Sequence, residues 1–184
     1  YDIAEGVSEV AMEREWDISS SYFTKSGKYR VTSINKDGQT VIEVFDTEEE
    51  KNIDLPAFNG GGITSVAFSK DETVMRFYVG DSNSPSNLFY YELESGRSQQ
   101  LTDVLNPEIQ PQDLVKAGVI RFASFDGLDI PAIYYLPHQA SAENPVPALV
   151  WVHGGPGGQS RQNYNPIIQY LVNNGYAVLA VNNR

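Results

Sequence analysis

Short stretches in which apolar and polar residues alternate fill residues 1–105, and turn residues separate them. Alternation with a period of two predicts half-buried β-strands. Two of the stretches are similar to each other: SYFTKSGKYRVTS begins at Ser21, and SVAFSKDETVMRF begins at Ser65. Phe23 in the first stretch matches Phe68 in the second at an offset of 45 residues. The first half of the chain therefore carries an internal repeat.

The turns follow the same repeat. Lys25–Gly27 matches Lys70–Glu72 at an offset of 45, and Asp46 matches Glu92 at an offset of 46. A period near 45 with four short strands per unit is typical of β-propeller blades. We predict that residues 1–105 form the last two blades of a propeller. A pair of β-meanders in a sandwich is the alternative.

The second repeat is the easier one to divide into strands. The alternation predicts a longer loop at Asp81–Asn87, and it predicts four strands, at Ile63–Ser69, Thr73–Gly80, Asn87–Glu92 and Ser98–Leu101.

The pattern changes after Leu105. Residues 106–118 contain two prolines and resemble a linker. Residues 119–184 then give a hairpin about Asp126–Gly127, whose side chains at alternate positions from Leu128 to Leu136 would share one face. The apolar run PALVWV follows, which is typical of a strand covered on both faces. This order predicts the start of an α/β sheet.

One helix is predicted in this part, followed by a second buried strand, YAVLAV. Asn165 is a good N-cap, Pro166 takes the first helical position, and Gly175 ends the helix. The apolar stripe that would pack on the sheet consists of Ile167, Ile168, Leu171 and Val172.

Charge and composition exclude several classes of function. The net charge of -11 argues against nucleic acid or an anionic membrane as partner, because both attract basic surfaces. The chain has no cysteine, which excludes disulfides, thiolate catalysis and cysteine-based zinc sites. It also has no run of about 18 apolar residues that could span a membrane. The absence of cysteine suits any compartment, so localisation stays open.

The candidate chemistry lies in the segment VWVHGGPGGQS, from Val150 to Ser160. Glycines at the end of a buried strand let backbone N–H groups approach a ligand. The arrangement matches neither phosphate-binding motif, GxxxxGK[ST] or GxGxxG before a helix. It fits the HGGG-type loop that supplies an oxyanion donor in α/β-hydrolases, with a purely structural turn as the alternative.

The glycine segment, the following helix and GYAVLAVNNR, preceded by propeller-like repeats, together resemble the prolyl oligopeptidase family of serine peptidases. The similarity is greatest to its acylaminoacyl-peptidase and dipeptidyl-peptidase branch. The resemblance implies an α/β-hydrolase domain capped by a propeller, a Ser-Asp-His triad, a short-peptide substrate and no metal or organic cofactor. It implies that the Gly155 N–H is the oxyanion donor, with Gly154 beside it. His153 takes the place where some members use a tyrosine hydroxyl.

The triad itself is missing from these residues. There is no GxSxG motif, and the two histidines are His138 and His153. A Ser160–His153 dyad is disfavoured, because both residues belong to one loop and no third group orients the base. We expect the chain to stop before the nucleophile, as a nicked enzyme, a partly described one or a deliberate fragment. Arg184 is a residue after which trypsin-like proteases cut.

Two functions from different classes follow. The first is a serine peptidase that hydrolyses peptide bonds by acyl transfer, in which this chain supplies the HGGPG loop and part of the propeller. Its partners would be peptide substrates and the remainder of the same enzyme, with oligomerisation and substrate specificity open. The second is a non-catalytic, β-rich binding fragment. An esterase on the same fold is a narrower alternative, which the propeller repeat disfavours.

Overall fold

The structure, a computed structural model, describes residues 3–59, 61–155 and 157–182, and within these ranges it contains three four-stranded sheets. The first sheet is an antiparallel meander of the strands β1 (Asp17–Phe23), β2 (Tyr29–Lys36), β3 (Gln39–Asp46) and β4 (Lys51–Asn52). The second sheet repeats this order with β5 (Gly62–Phe68), β6 (Val74–Asp81), β7 (Ser84–Glu92) and β8 (Ser98–Gln100).

The two meanders share their irregularities at the predicted offset of 45. The β1–β2 pairing shifts register between Ile18 and Ser20, and the β5–β6 pairing shifts between Ile63 and Ser65. Bulges are specific local features, so their repetition at equivalent positions indicates one structural unit used twice.

A hydrogen bond beside each bulge also repeats. The Ser19 hydroxyl donates to the Ser33 carbonyl at 3.0 Å, and the Thr64 hydroxyl donates to the Tyr78 carbonyl at 3.2 Å. The matching turns are left-handed at equivalent positions, at Gly27 (φ +85°) and at Glu72 (φ +59°).

One predicted loop is wrong. The sequence predicts a longer loop at residues 81–87, but Asp81 ends β6 and Ser84 begins β7, so only two residues connect these strands. The register shifts between Val79 and Asp81, which leaves Pro85 and Ser86 opposite Gly80. A bulge tolerates proline because the ladder is interrupted there. The polar composition therefore marks a bulged strand.

The first and second sheets pack face to face around one apolar cluster. Its buried members come from β2, β3, β5 and β6, namely Tyr29, Val31, Val44, Val66, Met75, Phe77 and Val79. The rings of Tyr29 and Phe68 stack across the two sheets with centroids 4.7 Å apart. A blade-like meander cannot cover its own faces, so each repeat depends on its neighbour for burial.

The third sheet is mixed. It consists of β9 (Gly118–Ala123), β10 (Asp129–Tyr135), β11 (Ala148–Val152) and β12 (Ala177–Val181) in the order β11-β12-β10-β9. The predicted hairpin about Asp126–Gly127 is confirmed as β9–β10, with Gly127 at φ +83°. Strands β11 and β12 are parallel, and the helix α1 (Pro166–Asn173) crosses between them.

The prediction that PALVWV is covered on both faces is wrong for the described residues. Strand β11 lies at the edge of the sheet, and Val150 and Val152 are 67% and 69% exposed. The YAVLAV run, predicted as a buried strand, is buried on one face: β12 lies inside the sheet, its Val178 and Ala180 are buried, and its Ala177, Leu179 and Val181 are half-buried. Trp151, on the opposite face of β11, packs against the second core, so β11 is covered on one face only and has a partner strand on one side only.

The helix forms with the predicted caps. The Asn165 side chain accepts hydrogen bonds from the N–H groups of Ile167 and Ile168, and Pro166 begins the helix. Gly175 follows the C-cap at φ +87°, where its N–H and that of Tyr176 bond back to the last turn. Of the predicted stripe, Ile168 and Val172 are buried, whereas Ile167 is exposed.

The second core lies between α1 and the third sheet. It consists of Val115, Ile133, Tyr135, Ile168, Val172, Val178 and Ala180. Val115 comes from the stretch predicted as a linker, so this stretch is packed against the helix. In the part of the chain that the structure describes, no helix has the length and apolarity needed to cross a membrane.

Candidate functional site

The glycine loop connects β11 to α1 at the end where both parallel strands finish. Gly155 adopts φ +61°, in the left-handed region that favours glycine. The N–H of Gly158 donates to the Gly155 carbonyl at 3.1 Å and closes a tight turn. Gly155 and Gly158 are therefore held in a defined position relative to each other.

A second feature fixes the same turn. A Cβ added to Gly158 would lie 2.2 Å from the Gly154 carbonyl oxygen and 3.0 Å from Nδ1 of His153. Only glycine allows this approach of backbone to backbone. Around Gly154 and Gly155, by contrast, no heavy atom of the described residues, apart from each glycine's chain neighbours, lies within 4 Å of an added Cβ.

The peptide groups of Gly154 and Gly155 are available to a ligand. Both residues are exposed, and within the described ranges neither N–H donates a hydrogen bond. Unpaired N–H groups at the carboxyl end of parallel strands are suited to bind an anion or a developing oxyanion.

His153 and Ser160 both line a cavity of about 230 Å³ between the loop and α1. Nε2 of His153 and Oγ of Ser160 are buried, and neither has a hydrogen-bond partner among the described residues. Nδ1 of His153 lies 3.5 Å from the Gly154 carbonyl oxygen, which is a marginal contact. The structure thus gives no hydrogen bond between Ser160 and His153.

Ser160 is held through its backbone. Its N–H donates to Oδ1 of Asn182 at 2.6 Å, and its carbonyl accepts from Nδ2 of the same asparagine at 3.1 Å. Asn182 directly follows β12, and its own N–H donates to the Pro131 carbonyl at 3.0 Å. One side-chain amide therefore pairs with both backbone polar groups of Ser160.

The turn between β2 and β3 contacts the next residues of the loop. The carbonyls of Asp37 and Gly38 accept from Nε2 and the backbone N–H of Gln162, both at 2.9 Å. Nδ2 of Asn35 donates to Oε1 of Gln159 at 2.8 Å. The Asp37 carboxylate also pairs with Arg121 on β9. The first sheet is therefore joined to the segment that follows the glycines.

The second sheet reaches the same region through a buried amide. Gln169 on α1 is 3% exposed. Its Oε1 accepts from the Val115 N–H at 2.9 Å, and its Nε2 donates to the carbonyls of Ser82 and Val115, both at 2.8 Å. One side chain thus links the helix, the predicted linker and the β6–β7 connection.

The ionisable side chains of Asp81 and Lys116 lie next to the contacts of Gln169. Burial of the Asp81 carboxyl opposes its ionisation, but hydrogen bonds to Lys116 and Ser82 outweigh that effect and lower its pKa. Burial raises the pKa of Tyr135 to about 12, and the nearby Asp81 carboxylate adds to the rise. Tyr135, on the cavity wall, is a neutral hydroxyl at physiological pH.

The structure brings His153, Gly154 and Gly155 together in one loop, as their adjacency requires. His138 is exposed in the loop after β10. Because β10 runs antiparallel to β12, that loop lies at the end of the sheet where β12 begins, and the glycines lie at the other end. In the described ranges, no three His, Asp or Glu side chains could share a metal ion.

Sequence reasoning missed Asn182, whose only signal was its position directly after a buried strand.

No family model matches the sequence. Among characterised proteins, the chain is similar to dipeptidyl aminopeptidase BIII of Pseudoxanthomonas mexicana, with 29% identity over 136 residues, 71% of this chain and 20% of the relative. A probable dipeptidyl-aminopeptidase B of Paracoccidioides lutzii is 23% identical over 170 residues, 89% of this chain and 18% of the relative. The chain spans about one fifth of the length of these relatives.

Solved structures share the fold. A prolyl endopeptidase structure superposes with a TM-score of 0.74 at 17% identity, over 93% of this chain and 25% of that one. The acylaminoacyl peptidase of Pyrococcus horikoshii gives a TM-score of 0.65 at 19% identity, over 92% and 25%. The resemblance to the prolyl oligopeptidase family is confirmed: the homologues are named dipeptidyl aminopeptidases, and the structural neighbours are members of that family.

Proposed function

We propose that this chain is part of a serine peptidase of the prolyl oligopeptidase type, which hydrolyses short peptides by acyl transfer. The observation that carries the proposal is the pair of exposed, unpaired N–H groups at Gly154 and Gly155, at the carboxyl end of β11. The names of the relatives, all peptidases, support the reaction class.

In this reaction the chain supplies electrostatic stabilisation. A serine outside residues 1–184 attacks the peptide carbonyl, and a histidine oriented by an aspartate transfers its proton to the leaving amine. The carbonyl oxygen becomes negative as the tetrahedral intermediate forms. The Gly155 N–H, with that of Gly154 beside it, donates to this oxygen, an interaction worth roughly 3–4 kcal/mol in the transition state.

The first two sheets have a separate role in this proposal. We assign residues 1–105 to the last two blades of a propeller, 106–118 to the connection and 119–184 to the first part of the α/β-hydrolase domain. The shared bulges of the two meanders and their 45-residue offset support the assignment to blades. A propeller over the hydrolase sheet would admit short peptides and exclude folded proteins. Dipeptide release is the specificity that the relatives' names favour.

The test is activity-based labelling of the full-length protein with a tagged fluorophosphonate, followed by mapping of the modified residue. We expect one labelled serine outside residues 1–184, and cleavage of dipeptidyl nitroanilides that stops when the probe is bound. Absence of both labelling and cleavage would overturn the proposal and favour a binding module. Labelling with cleavage of short-chain esters but not of peptides would favour an esterase on the same fold.

A further inference from the structure

The geometry points to Asn182 as a positioning residue that holds the oxyanion loop in its active shape. This inference rests on the proposed function of the glycine loop. Asn182 does not reach the reacting atoms in the proposal; it acts through the backbone of Ser160.

The backbone of Asn182 is itself fixed by the third sheet. It follows β12, one of the two inner strands of the third sheet, and its N–H extends the ladder to β10 by donating to the Pro131 carbonyl. A residue whose backbone continues a central strand has little freedom, so its side chain starts from a fixed point.

The side chain of Asn182 contacts Ser160 through both of its polar atoms. The carboxamide has one acceptor oxygen and one donor nitrogen, and both are bound to the same residue, at 2.6 Å to the Ser160 N–H and 3.1 Å to its carbonyl. This pairing imitates the two bonds that a neighbouring strand would make. Ser160 is therefore held in both position and orientation.

Ser160 is connected to the donors through Gly158. Gly158 is two residues earlier, and its N–H is bonded to the Gly155 carbonyl at 3.1 Å. The peptide of Gly158 also lies against the Gly154 carbonyl so closely that a Cβ would not fit. A shift of Ser160 is consequently transmitted through a tight turn to the two peptides that carry the donors. Oxyanion donors must point at the developing charge to within a fraction of an ångström, so a small shift is costly.

The experiment compares three variants of the full-length enzyme. Asn182→Ala removes both bonds, and Asn182→Asp keeps the shape but replaces the donor to the Ser160 carbonyl with a repelling oxygen. The control is Asn174→Ala, because Asn174 also makes a side-chain bond to a carbonyl, that of Tyr170 at 2.8 Å, but at the exposed end of α1. We expect both Asn182 variants to lower kcat about 10- to 100-fold with KM within about twofold. Asn174→Ala should leave both constants unchanged.

A double variant tests the route of the effect. If Asn182 acts through the glycine loop, adding Asn182→Ala to Gly155→Val should lower kcat by less than about twofold beyond Gly155→Val alone. Losses that multiply would overturn the inference, as would a kcat within twofold of wild type in Asn182→Asp. Loss of activity that only follows loss of folded protein, measured by circular dichroism, would also overturn it. A wild-type enzyme without labelling or cleavage would instead refute the proposed function, which keeps the two failures distinct.

Discussion

The carbonyl of Gly38 accepts a hydrogen bond from the Gln162 N–H at 2.9 Å, and this bond joins the first sheet to the segment after the glycine loop. Gly38 has φ +75°, and an added Cβ would lie 3.1 Å from the Ser160 carbonyl oxygen and 3.2 Å from Cδ1 of Ile133. A side chain at Gly38 would therefore combine a left-handed backbone with tight contacts, and the facing Ser160 and Ile133 would have to move by a few tenths of an ångström.

The first prediction concerns this fit. Gly38→Ala should destabilise the protein by about 2–3 kcal/mol, since it combines a left-handed backbone with two close contacts. Gly27→Ala is the matched control: Gly27 has φ +85° in the β1–β2 turn, and apart from its chain neighbours no described atom lies within 4 Å of an added Cβ. It should cost about 1 kcal/mol. Urea unfolding of the full-length protein measures both, and equal costs would show that the contacts to Ser160 and Ile133 contribute nothing.

The second prediction concerns the buried amide of Gln169. Gln169→Leu keeps a similar volume but leaves the Val115 N–H and two carbonyls without their partner. We expect a loss of about 3 kcal/mol in the free energy of unfolding. The control is Asn173→Ala, on the same helix, whose Nδ2 donates only to the Gln169 carbonyl. It should lose less than about 1 kcal/mol, and a similar loss in both variants would argue against the linking role of Gln169.

The third prediction concerns pH. The pKa of Asp81 in the folded protein lies below its ordinary value, so the unfolded state binds more protons as the pH falls. The stability that the Asp81 carboxylate contributes is therefore fully present above the unfolded pKa of about 3.9 and disappears as the pH falls through the lower folded value.

Stability curves of wild type and Asp81→Asn should then differ most near neutral pH and converge toward pH 3. The neutral-pH gap should be about 1–3 kcal/mol, because charge-assisted bonds to Lys116 and Ser82 are lost. Asp129→Asn, at an exposed carboxyl, serves as the control and should leave the curve unchanged. A gap for Asp81→Asn that is constant from pH 3 to 7 would contradict this account.

Features set by local chemistry were predictable from the sequence. The repeat offset, the Asp126–Gly127 hairpin and the caps of α1 at Asn165 and Gly175 all depend on residues close together in the chain. The polar composition of Asp81–Asn87 led to the wrong prediction of a loop. A bulge allows Pro85 to lie within a strand, although the composition of this segment is typical of a loop.

Features set by distant neighbours were not predictable. The exposure of Val150 and Val152 on β11 depends on what packs beside and over this strand. A run of apolar residues in the sequence carries no such information. The predicted hairpin stripe has exposed ends at Leu128 and Leu136, while the helix packs against the other face of β10, at Ile133 and Tyr135. Contacts between loops distant in sequence, such as Asn182 with Ser160, leave no periodic pattern.

The most direct test of the central claim is the kcat of peptide hydrolysis by Gly155→Val in the full-length enzyme. A β-branched residue resists φ +61°, so the peptide should rotate and its N–H should leave the oxyanion. The matched control is Gly127→Val, at φ +83° and equally open space in the β9–β10 turn. We predict that Gly155→Val lowers kcat about 100- to 1,000-fold with little change in KM, while Gly127→Val keeps the wild-type kcat. A wild-type kcat in Gly155→Val would contradict the assignment of this loop to the oxyanion.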